Sequence, residues 1–92
     1  MATKKGVSQA DMIREYVRNR MIEPARTRGD EMITIFARQV HADMHLQAPV
    51  VTVCSALDHD GFEEYAGVRL LERSGRRNSR KSKWVFKLQP DG

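Results

Sequence analysis

Three groups of residues and one lone cysteine in this 92-residue chain have types or spacings that support chemistry. His41 and His45 stand four apart, the spacing at which one helical face presents two imidazoles to a transition metal. No third Cys or His lies within the same segment, so structural or exposed roles are the better reading of both, and no cofactor or metal is expected. Asp58, Asp60, Glu63 and Glu64 form an acidic cluster of the kind that binds divalent cations in nucleases. Such sites pair their carboxylates with a nearby catalytic Lys or His, and nothing in the sequence fixes that geometry, so helix capping by Asp58 or Asp60 is the plainer role. Cys54 shares an apolar stripe with Val50, Val53 and Leu57, where a buried thiol is the usual outcome, and His59 is too near in sequence to serve as its base. The expectation is a protein that is not an enzyme, with a small hydrolase or nuclease as the distant alternative.

The third group is Ser74 to Lys83, which places Arg76, Arg77, Arg80, Lys81 and Lys83 in ten residues without an acid. The chain has sixteen Lys and Arg and twelve acids, so removing those five leaves eleven cations against twelve acids. The body is close to neutral, and the formal charge of +4 comes from this segment. A concentrated cationic patch suits a polyanion, either nucleic acid or an acidic protein surface, against the plain alternative of a solvated loop tip. Asn78 and Ser79 add donors for phosphate oxygens.

Positioning such a segment takes one small domain, and this length with 40% apolar residues allows one and not two. No run approaches the roughly 18 apolar residues of a membrane span. A single cysteine and an amino terminus without an apolar h-region point to a cytoplasmic protein. Residues 1–7 are expected to be a flexible terminus and 89–92 a tail.

Ser8 and Asp11 have capping-box spacing, so a first helix is expected over 8–23, with Ile13, Tyr16, Val17 and Met21 as its apolar stripe and Pro24 ending or kinking it. Thr27 to Asp30 reads as a turn. The β-branched run at 32–36 reads as a short strand and 37–46 as a second helix, with Val40 and Met44 inward. At 49–59, Val50-Val51-Thr52-Val53 favours a strand by propensity, whereas Val50, Val53, Cys54 and Leu57 form a helical stripe. The helix is preferred because Pro49 suits a helix start and because of the order of neighbouring elements. Phe62 to Tyr65 adds a helical turn closed by Gly67. Residues 68–73 and 83–88 read as a hairpin, the second strand alternating with Trp84, Phe86 and Leu88 on one face, most simply the core face, and residues 74–82 forming the tip.

This order of elements resembles the winged helix-turn-helix DNA-binding superfamily over Ser8 to Leu88. The resemblance implies a small α+β domain of three helices with a C-terminal β-hairpin wing, binding double-stranded DNA, with a transcriptional regulator or a DNA-targeting module as its expected role. Carried over by position, 49–59 would be the reading helix, exposing Val51, Thr52, Ser55 and Ala56. Gln47, Thr52 and Ser55 would touch the major groove, and Arg76, Arg77, Asn78, Ser79, Arg80, Lys81 and Lys83 would form the wing contacts. After Gln47 that helix has none of the Arg, Lys, Asn or Gln side chains that read base edges bidentately, so the wing is expected to lead with modest sequence preference. Arg14, Arg18, Arg26 and Arg28 either extend the basic surface or pair with acids such as Glu15 and Asp30. The alternative is an interaction module that binds a protein partner through Val51, Thr52 and Ala56. Homodimers are common among helix-turn-helix proteins, although no dimer stripe stands out beyond the first helix.

Overall fold

A computed structural model describes residues 8–75 and 81–88. The expected terminus 1–7, tail 89–92 and tip residues 76–80 lie outside the described residues. The protein is a small α+β fold in which four helical rods pack on one face of a three-stranded antiparallel sheet.

The first rod is longer than expected. It runs as α1 (Gln9–Val17), a π-helical turn (Arg18–Ile22) and α2 (Glu23–Arg28). Ser8 and Asp11 form the reciprocal capping box at its start. Pro24 does not end the rod, because it sits at the start of α2, directly after the widened turn. A wide turn relieves the clash between a proline ring and the carbonyl four residues earlier, and the missing N–H costs little there. The extra residue of the π-turn also advances the helical phase. Inward positions thus pass from Ile13 and Val17 to Ile22 and Ala25, while Met21 is only half-buried. Gly29 closes the rod at φ 87, with Gly29 N–H donating to Arg26 and Asp30 N–H to Ala25, both at 3.0 Å.

Strand β1 (Met32–Phe36) has the expected bounds. α3 (Ala37–Asp43) stops three residues short of the expected 46. Its end is a Schellman turn: His45 N–H donates to Ala42, Leu46 N–H to His41, and His45 takes the left-handed conformation at φ 53. Leu46 packs against the core, supplying the apolar contact that accompanies this motif. His41 and His45 therefore do not share a helical face.

α4 (Val50–Leu57) is a helix, with Pro49 as its extended N-cap rather than its first helical residue. Val53, Cys54, Ala56 and Leu57 are all buried against α1 and α3, so the segment is apolar around most of its circumference. That all-round burial is why its composition also suits a strand. Ala56, expected on the exposed face, has no exposed surface. The helical turn expected at Phe62 to Tyr65 is α5 (Phe62–Ala66), closed by Gly67 at φ 71, and it makes a fourth rod beside the three helices expected.

β2 (Val68–Ser74) and β3 (Lys83–Leu88) form the expected hairpin, and β1 joins the other side of β3 to give the order β1-β3-β2. Trp84, Phe86 and Leu88 face the helices and are buried, as the alternation predicts. The ladder slips by one residue between Leu70 and Glu72, leaving Leu71 as a bulge.

Candidate nucleic-acid interface

The bulge decides which side chain meets α4. Without it, the register of Val68 with Leu88 would bring Glu72 opposite Trp84; with it, Arg73 takes that place. Arg73 lies over the Trp84 ring at 4.7 Å, and its Nε and Nη2 donate to the two oxygens of Asp58, each at 2.9 Å. Trp84 Nε1 donates to the same carboxylate at 2.8 Å. Asp58 is the C-cap of α4, a place where a carboxylate opposes the helix dipole, and the guanidinium offsets that opposition. The contact with Asp58 holds the Arg73 guanidinium even more firmly protonated than usual. This cluster ties the C-terminal end of α4 to the base of the hairpin.

The two ends of the tip also approach closely. Gly75 has φ 91, and a Cβ there would lie 2.4 Å from the Lys81 carbonyl oxygen, so only glycine fits. Lys81 is exposed, whereas Ser82 is buried and its carbonyl accepts from Ala37 N–H at the start of α3. Lys83 is half-buried, with Nζ 3.9 Å from the Glu72 carboxylate, so it is less available than the sequence suggests. Arg76, Arg77, Asn78, Ser79 and Arg80 lie outside the described residues.

On α4, Ser55 is exposed and Thr52 half-buried, three residues apart on one side of the helix. Gln47 is exposed in the connection from α3 and lines a groove of about 420 Å³ with Arg38, His41, Ala42, Ala48, Pro49 and Val50. His41 donates from Nε2 to the Ala48 carbonyl at 2.7 Å, which fixes the connection against α3.

Other cations have structural duties. Arg14 bonds Asp11 at 2.7 Å and the Ala56 carbonyl at 3.1 Å. Arg26 bonds Glu23 and the carbonyls of Ala66 and Gly67, capping α5. Arg28 pairs with Asp30, while Arg18 lies over the Tyr65 ring at 4.8 Å. Of the acids named from sequence, Asp30 is therefore a partner, but Arg14 takes Asp11 rather than Glu15.

The acidic cluster is dispersed into local roles. Asp58 serves Arg73 and Trp84, and a Glu63 oxygen accepts from the Leu70 backbone N–H at 2.6 Å. Among the described residues, no group of three or more His, Cys, Asp or Glu side chains converges on a metal position. Cys54 is buried. No described helix is long and apolar enough to cross a membrane. Compared with family models, with curated proteins and with solved structures, the chain matches none of them.

Proposed function

We propose that this chain is a non-enzymatic DNA-binding domain of the winged helix-turn-helix type, gripping duplex DNA through its hairpin tip. The observation that carries this reading is the antiparallel pairing of β2 with β3, whose connection at 75–82 has four cations and no acid. The Asp58–Arg73–Trp84 cluster supports it by giving α4 and the hairpin a fixed mutual position. The short connection between α3 and α4 suits a helix-turn-helix, with Gln47, Thr52 and Ser55 available to touch groove edges. Such polar contacts are few, so phosphate neutralisation supplies most of the affinity.

Fluorescence anisotropy on a labelled duplex tests this. Affinity should fall with log salt at a slope of about −4 to −5, the value for roughly five phosphates neutralised. Replacing Arg76, Arg77, Arg80 and Lys81 together with Ala should weaken binding at least tenfold and leave the thermal midpoint unchanged. Undiminished binding by that variant would remove the tip from the mechanism.

A further inference from the structure

The helices cover one face of the sheet and leave the other open. On the open face Met32, Phe36 and Leu71 are 55%, 40% and 48% exposed, with Val85 half-buried among them. Cations are interleaved with these apolar groups. Lys87 stands directly opposite Arg69 in the β2–β3 ladder, and no carboxylate pairs with either among the described residues. Like charges placed opposite one another across a ladder are destabilising, and an anion laid beside them reverses the sign. Arg38 sits 6.0 Å above the Phe36 ring at the end of β1, and Glu72, the only acid on this face among the described residues, lies beside Lys83.

β1 is an edge strand. Leu88 N–H donates to Glu31 and Ala37 N–H to Ser82, so the odd-numbered residues of β1 bond towards β3. Met32 and Thr34 then direct their backbone groups outward. The strand's five residues, Met-Ile-Thr-Ile-Phe, include no charge and no proline, the devices that ordinarily protect an edge.

We propose that this edge and open face take up an extended acidic segment of a partner protein as a fourth strand. The ladder would supply backbone bonds, and alternate side chains of the segment would lie beside Met32, Thr34 and Phe36. An acid beside Met32 lies two strand spacings, about 9.5 Å, from the Lys87 backbone, within the joint reach of Lys and Glu side chains. An acid beside Phe36 meets Arg38. Single-stranded nucleic acid fits less well, because base stacking needs exposed aromatic faces. Among the described residues this face has one ring, and Arg38 already lies over it. A second copy paired through β1 about Thr34 would bring its Glu31 to the Arg38 end and leave Arg69 and Lys87 without an anion.

The test uses a fluorescein-labelled, end-capped ten-residue peptide of alternating Glu and Val, with Lys in place of Glu as the control. The Glu peptide should bind saturably at low salt and the Lys peptide should not. Thr34→Pro removes an outward N–H while sparing the bonds to β3, and it should weaken peptide binding at least tenfold. Lys87→Glu should do the same. Thr34→Pro should leave duplex binding intact, which separates failure here from failure of the duplex-binding reading. If Thr34→Pro does not fold by circular dichroism, Lys87→Glu combined with Arg69→Glu decides. Absent or charge-indifferent binding, binding unchanged in the variants, displacement of the peptide by labelled oligo-dT that depends on the same residues, or a dimer mass that Thr34→Pro returns to monomer would each overturn the inference.

Discussion

Arg73 and Arg69 lie on the same strand, four residues apart, and their environments differ completely. Arg73 is folded over Trp84 and held by both oxygens of Asp58. Arg69 projects from the open face opposite another cation. The bulge at Leu71 separates the two regimes by turning one arginine towards the helices and leaving the other on the solvent side. Arg14 and Arg26 follow the first pattern, each spanning more than 35 residues to reach a backbone carbonyl. A tally of cations therefore overstates what the protein can offer a polyanion, because several are struts. Among the described residues, Arg69 and Lys87 on the outer sheet face have no carboxylate partner, and by sequence the tip adds Arg76, Arg77 and Arg80.

The sharpest way to break this contrast is to remove the anchor. Asp58→Ala strips the carboxylate from Arg73 and leaves the buried Trp84 indole N–H without its acceptor, and should cost about 3 kcal/mol in urea unfolding. Arg69→Ala should change stability little or raise it slightly, since it relieves a like-charge pair. Equal losses in the two variants would abolish the distinction. Gly75→Ala probes the far end of the same hairpin. Its side chain would collide with the Lys81 carbonyl, and destabilisation of about 1–3 kcal/mol is expected, with amide exchange accelerated first along β2 and β3.

The smallest effect concerns the capping box. The hydrogen bond from Arg14, together with the Ser8 backbone, holds the Asp11 carboxyl below its ordinary range. A depressed carboxylate contributes stability above its unfolded value, about pH 4, and loses it as pH falls through the folded value. Acid titration should therefore fray the start of α1, and Asp11→Asn should flatten that response. Asp11 is exposed, so the change should be seen in local amide exchange before it is seen in global unfolding.

Much of this was legible in residue order. The capping box, β1, the alternation of Trp84, Phe86 and Leu88, and the hairpin all follow from local periodicity and cap chemistry. The helical choice at α4 was legible only in part, because Val50 to Val53 has the composition of a strand and packing against α1 and α3 settles it. Three features left weak traces or none. Pro24 marked a disturbance without revealing that a π-turn would carry the helix through it. His45 is among the non-glycine types enriched in left-handed turns, and Leu46 as the following apolar contact was a second hint, but neither fixed where α3 would stop. The Leu71 bulge has no local signature, since Leu70-Leu71-Glu72-Arg73 reads equally well in either register. The sequence-predicted site residues divide in the same manner: Ser55 and Gln47 are exposed as expected, whereas Ala56 is buried and Lys83 has a carboxylate neighbour.

By itself, residue order determined where charge concentrates and where helices and strands begin, because caps, periodicity and proline act over a few residues. Only the tertiary structure decided which cations are committed and which remain open. That outcome depends on a one-residue slip in a ladder and on a carboxylate fifteen positions away from its arginine, relations that exist only once the elements have packed.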